Sequence, residues 1–167
     1  AIASEFLKRE NHYVAGAVWK ENYYVSHIVT NNKDDLTRIQ NSKYVQSNTE
    51  NVYEDVKALI ENGNKVLYSG TPCQIAGLYA FLGGKNDNLF TIDLICHGVP
   101  STKVLQKYLK DSYNGKEIKR LDFRDKSVFG WSSEMNIYMA DDEEVHTRAG
   151  KDSFYQAFLS NLSLSPN

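Results

Sequence analysis

Cysteine is scarce in this sequence: Cys73 and Cys96 are the only two among 167 residues. A secreted domain of that size held by disulfides carries more, so the chain is expected in a reducing cytoplasm. No run of about 18 apolar residues occurs, which excludes a bilayer-spanning helix, and the start has no signal-peptide pattern. A basic excess is missing too. With 19 Lys and Arg against 21 Asp and Glu, and a formal net charge of -2, neither nucleic acid nor an anionic membrane is the expected partner. Gly-x-Gly-x-x-Gly and P-loop patterns are absent, which argues against ordinary dinucleotide and nucleoside-triphosphate sites. Internal repeats and low-complexity tracts are absent as well.

What is present reads as an α/β protein in a single domain of ordinary composition. His12 to Trp19 and Tyr23 to Val29 are dense in β-branched and aromatic residues, and the polar break Lys20-Glu21-Asn22 between them predicts a hairpin. A short helix is expected around Leu36 and Ile39. Val52, Val56, Leu59 and Ile60 fall on one helical face, closed by Gly63. Lys65 to Ser69 is a buried strand, Pro72 to Leu82 a helix ended by Gly83-Gly84, Leu89 to Ile95 a further buried strand, and Ser101 to Tyr113 a further helix. That alternation predicts parallel crossovers. Ile118 to Phe123, Met135 to Met139 and a shorter run at Val145 read as strands, and Phe154 to Leu162 as a closing helix. The expected fold is a mixed, partly parallel β-sheet flanked by helices. The chain starts at Ala1 inside a helical pattern and stops at Ser165-Pro166-Asn167 after another, so the expectation is a fragment of a longer polypeptide.

Two loops carry the chemistry. In Ser69-Gly70-Thr71-Pro72-Cys73-Gln74, Thr71 is a good N-cap, Pro72 suits the first helical position, and Gln74 stands where a capping box needs its reciprocal partner. Cys73 then falls in the first turn, where free N–H groups and the helix dipole favour a thiolate. Such a group can ligate iron, attack a disulfide, or receive hydrogen bonds from a cofactor; it can equally be a small buried residue. The loop follows the C-terminal end of a strand, where open α/β sheets bind ligands. The run Asp93-Leu94-Ile95-Cys96-His97-Gly98-Val99-Pro100-Ser101 repeats the arrangement one strand over, with Gly98 allowing close backbone approach. His97 is a ligand or a hydrogen-bonding loop residue. Two cysteines and a histidine do not complete a four-ligand zinc site or a four-thiolate cluster.

Other polar residues read more plainly. His12 and His27 sit in expected strands as side chains at a sheet surface, and Asp141-Asp142-Glu143-Glu144 reads as a solvated turn. Arg124 and Asp125 form a salt bridge or touch a cofactor.

Gly70-Thr71-Pro72-Cys73-Gln74-Ile75-Ala76-Gly77-Leu78 and the Asp93 to Ser101 run resemble the two signature loops of the coenzyme F420 hydrogenase/dehydrogenase beta subunit family. Ser42-Lys43-Tyr44-Val45-Gln46-Ser47 and Phe123-Arg124-Asp125-Lys126 with Gly130-Trp131 resemble family segments in the same order. The resemblance implies an oxidoreductase with FAD and a 4Fe-4S cluster, exchanging electrons with a small carrier, deazaflavin or ferredoxin-like, or with a partner redox subunit. It implies Cys73 and Cys96 as two cluster ligands. It places Gly70, Thr71, Gln74, His97 and Gly98 on the flavin side, and Lys43 beside the flavin ring or its phosphates. Members of the family continue past the equivalent of Pro166 into a Cys-x-x-Cys segment, many have a ferredoxin-like portion ahead of the equivalent of Ala1, and a glycine-rich beginning is usual. None of these is in this sequence, so the stretch alone is expected to hold no intact cluster and no tightly bound flavin. Two alternatives remain: a thiol-disulfide protein with Cys73 attacking and Cys96 resolving, and a cofactor-free partner-binding domain.

Overall fold

A computed structural model describes residues 1–96, 98–126, 130, 134–148 and 150–162. The chain divides into two compact units. The first comprises Ala1–Lys20, Tyr24–Gln40 and Ser47–His97, and the second Glu21–Tyr23, Asn41–Gln46 and Gly98–Asn167.

The first unit is built on β1 (His12–Trp19), whose central Ala-Gly-Ala lets neighbours approach closely. β2 (Val25–Thr30) pairs with it antiparallel, Ala15 opposite Val29 and Ala17 opposite His27, as the hairpin pattern predicts. Tyr23, expected in that second strand, lies outside it. Asn22 and Tyr23 take left-handed backbone angles, φ 54° and 57°, so the strand begins only at Val25. On the other side of β1 runs β4 (Lys65–Gly70), parallel to it, and beyond that β5 (Leu89–Asp93), parallel to β4; the two-residue β3 (Ser47–Asn48) pairs with β2. The order β3-β2-β1-β4-β5 makes a mixed, partly parallel five-stranded sheet, as the strand and helix alternation predicts.

Helices cover both faces because the strands alternate in what they present. α1 (Ile2–Phe6) and α2 (Leu36–Ile39) pack with Val14 and Leu67. A methyl group on Gly16 would sit 2.6 Å from Ile39 Cγ2, which is why that strand position is bare. On the opposite face α3 (Val52–Glu61) and α4 (Pro72–Leu82) bury Val56, Ile60, Ile75 and Leu78 against Ala15, Val66 and Tyr68. One expectation fails here. The buried strand expected over Leu89 to Ile95 ends at Asp93, and Leu94 and Ile95 are exposed. β5 is the outer strand of the sheet, so its apolar residues lack the second neighbouring strand that would enclose them.

The second unit holds α5 (Thr102–Ser112) and an antiparallel sheet of β6 (Ile118–Phe123), β7 (Glu134–Met139) and β8 (Glu144–Arg148), followed by α6 (Ser153–Leu159). Leu121, Phe123, Met135 and Ile137 are buried, as are Leu105 and Leu109 of α5 and Phe154 and Phe158 of α6. Asp152 caps α6, its Oδ1 accepting from Tyr155 N at 2.8 Å. Its other oxygen accepts from Tyr108 of α5 at 2.5 Å, so one carboxylate orders both helices. Of the acidic run, 141–143 turn between β7 and β8 while Glu144 already opens β8, and the turn meets two lysines: Lys116 pairs with Glu143 and Asp141, and Lys119 with Asp142 at 3.0 Å. No helix among the described residues is long and apolar enough to cross a membrane.

Candidate functional site

The β4–α4 turn has the cap that its sequence specifies. Thr71 and Gln74 form a reciprocal capping box with Pro72 in the first turn, and Gln74 Oε1 accepts from Thr71 N at 3.1 Å. The Gln74 amide nitrogen donates to Ser47 O at 3.2 Å and Ser47 Oγ at 2.8 Å. Its backbone carbonyl accepts from Tyr53 Oη at 2.7 Å. Gln74 is therefore committed on three sides to holding the turn, which ties β3, α3 and α4 together. Cys73 is exposed on this turn, with Thr71 Oγ1 3.1 Å from its sulfur.

Beneath the turn lies Tyr68, fully buried. A methyl group on Gly70 would sit 2.7 Å from Tyr68 Cε1, so glycine is required there by the packed ring. Burial pushes the Tyr68 phenol far up, and the neighbouring Tyr53 and Cys73 push it further. Burial also raises Tyr53, with Cys73 adding to the rise. A negative charge at Cys73 is thus felt by both phenols, which stay protonated and able to donate.

Cys96 leaves the sheet at the same edge. Gly70 and Asp93 are register partners in the parallel β4–β5 ladder, and each is followed three residues later by a cysteine. Neighbouring strands lie about 4.8 Å apart, and Leu94 N donates to Gly70 O at 3.0 Å, extending the link past the strand ends. Both thiols are exposed and neither is in a disulfide.

Of the remaining candidate residues, Lys43 and Gly98 belong to the second unit, and His97 lies outside the described residues, as does Trp131. Gly98 has φ 123°, a backbone conformation that L side chains rarely adopt. Lys43 is half-buried. Burial pulls its ammonium down to about 8, against the opposing pull of Asp122. Asp122 is itself raised by burial, opposed by Arg120, whose Nε lies 2.6 Å from Asp122 Oδ2. The Arg120 guanidinium also stacks 3.9 Å above the Tyr138 ring, and Tyr138 Oη donates to Asp125 at 3.2 Å. Asp125 thus meets a phenol, the contact that its sequence context left open. Arg124 is raised chiefly by a hydrogen bond with Tyr44.

Sequence reasoning passed over three residues around the turn that carries Cys73: Tyr53 and Tyr68, whose phenols feel a charge at Cys73, and His27, which meets Ser69 O. His27, expected at a sheet surface, is 4% exposed. It stands opposite Ala17 of β1, and Tyr68 opposite Ala15, and the two rings stack across these small residues. Two alanines flanking a glycine in a strand were the signal for it.

A family model described as the C terminus of coenzyme F420 hydrogenase/dehydrogenase, beta subunit, matches residues 63–158. Among solved structures, a chain of the F420-reducing NiFe hydrogenase complex from Methanosarcina barkeri, studied by xenon derivatization, shares the fold with a TM-score of 0.58 at 15% identity. The match covers 99% of this chain and 55% of that one, so the chain spans about half the length of its structural neighbour. No curated protein matches.

Proposed function

The chain belongs to the coenzyme F420 hydrogenase/dehydrogenase beta subunit family, and from that membership we propose that it is the redox module of a cytoplasmic oxidoreductase, passing electrons between a bound flavin, an iron-sulfur centre and a small electron carrier or partner redox subunit. The observation that carries this reading is the register of Gly70 with Asp93, which sends two exposed cysteines from one edge of the sheet. Two thiolates so placed fit half the ligand set of a four-iron cluster. The sequence holds two cysteines in all, and no group of three metal-ligating side chains occurs among the described residues. Any such cluster therefore takes its other thiolates from outside these 167 residues.

A bound flavin would take up a hydride as an electron pair and release the electrons singly. The chain's own contribution is to hold position. The capping box fixes the Cys73 turn, Gln74 anchors it to Ser47 and Tyr53, and the half-buried phenol of Tyr53 and the buried phenol of Tyr68 stay protonated beneath it. Gly70 and Thr71 are the proposed backbone contacts on the flavin side.

The test is anaerobic purification of the protein with its partners, followed by flavin and iron analysis and a visible spectrum. Bound flavin and iron are expected, and Cys73→Ser is expected to lose iron while keeping the far-ultraviolet circular dichroism of the parent. Protein free of flavin and iron, or iron content unchanged in Cys73→Ser, overturns the reading.

A further inference from the structure

His27 is a buried histidine one strand removed from the turn that carries Cys73. It stands on β2 opposite Ala17 of β1, while Tyr68 of β4 stands opposite Ala15. The two rings cross the small residues of β1 and stack at 5.3 Å with their planes 4° apart. From there His27 Nε2 reaches Ser69 O at 3.2 Å. A carbonyl oxygen accepts only, so Nε2 carries the proton and donates.

The position of Ser69 gives that bond its consequence. The β1–β4 ladder ends at the Ala15–Tyr68 pair, one residue earlier. Ser69 and Gly70 continue as strand, paired with β5 through Ile92 and Asp93. On the β1 side His27 supplies the hydrogen bond just as the ladder stops. Gln74 anchors the turn downstream of Cys73, and His27 anchors it upstream, from outside the β4–α4–β5 unit altogether.

We propose that His27 is a positioning residue for Cys73, clamping the Ser69 carbonyl so that the Gly70-Thr71-Pro72-Cys73 turn presents its thiol in one orientation. The inference deepens the reading of Cys73 as a cluster ligand and rests on it. Its test uses the protein without cofactors, so that failure here is distinct from failure of the flavin and iron assay.

The two cysteines are alkylated with iodoacetamide and their rates followed separately by peptide mass spectrometry. His27→Phe keeps an aromatic ring to stack on Tyr68 and removes the donor. The Cys73 rate is expected to rise by about fivefold, the scale of one lost hydrogen bond, with the Cys96 rate unchanged. His27→Gln places an amide nitrogen where Nε2 stood and is expected to restore the parental Cys73 rate, whereas the shorter side chain of His27→Asn is not. A Cys73 rate unchanged in His27→Phe, an equal rise at both cysteines, or no rescue by glutamine overturns the proposal. Nitrogen NMR of the unsubstituted protein provides a check that needs no variant to fold. His27 is expected as the Nε2–H tautomer, and finding Nε2 unprotonated overturns the proposal equally.

Discussion

The side-chain amide of Gln74 donates to both oxygens of Ser47, at 3.2 Å and 2.8 Å, while its own oxygen accepts from the backbone of Thr71. A single side chain thus closes the first turn of α4 and fastens it to the short strand β3. Gln74→Ala removes the reciprocal half of a capping box and should cost about 1 kcal/mol in chemical denaturation, with further loss from Ser47. Gln74→Glu keeps the acceptor for Thr71 and sets a carboxylate against the Ser47 carbonyl. Its carboxyl is then favoured in the protonated form, so its stability should fall relative to the parent as pH rises through the carboxylate range. A stability difference between Gln74→Glu and the parent that is the same at pH 4 and pH 8 would contradict this account.

Gly70→Ala tests the packing under the turn. The new methyl would meet the ring of a fully buried tyrosine at 2.7 Å, so the ring or the strand must shift to admit it. Overpacking of this kind costs about 1–3 kcal/mol. Trimming the ring should relieve it, so the combination Gly70→Ala with Tyr68→Ala should be less destabilised than the sum of the two single changes. Additive losses in thermal or denaturant unfolding would show that the two residues do not share the space.

These two residues also show what the sequence could and could not convey. Thr71, Pro72 and Gln74 announce their turn because a cap is specified by residues within four positions of one another, and the structure follows them closely. The alternation of strand and helix from Val52 to Ser112 is equally local and was equally readable. Tyr68 and His27 were not readable as a stacked pair behind the turn that carries Cys73. Their meeting depends on which strands lie side by side, and that order, with β1 between β2 and β4, is set by pairing over long stretches of chain. Leu94 and Ile95 misled for a related reason: an apolar run looks the same inside a strand as just past its end, and β5 stops at Asp93.

Lys43 offers a titration with a defined sign. Burial lowers its ammonium to about 8 from an ordinary value of 10.5, and Asp122 opposes the shift. The folded state therefore releases this proton first. Between about pH 8 and pH 10.5 the unfolded chain holds more of it, and the contribution of Lys43 to stability should rise with pH across that window. Asp122→Asn removes the opposing charge, so the midpoint of Lys43, followed by the Cε carbon shift in NMR, should move further down. Lys43→Met should stabilise the protein below pH 8 by about 1–3 kcal/mol and lose that advantage as the pH rises. A midpoint that rises in Asp122→Asn would mean that the two groups do not face each other.

Asn136 provides the sharpest test of the second unit. It occupies the middle of β7, between Asp122 of β6 and His146 of β8, and is 0% exposed. Neither Nδ2 nor Oδ1 has a hydrogen-bond partner among the described residues. An amide buried in that way costs about 1–3 kcal/mol for each group left unsatisfied. Leucine has nearly the same shape and no polar atoms, so Asn136→Leu should raise the unfolding free energy. Its neighbours sharpen the reading: His146 Nδ1 is also buried with no partner among the described residues, while His146 Nε2 meets Glu144 at 3.2 Å. A loss of stability in Asn136→Leu, measured by denaturant unfolding, would show that ordered water satisfies the amide. A gain would show that the polar residue is carried at the expense of stability.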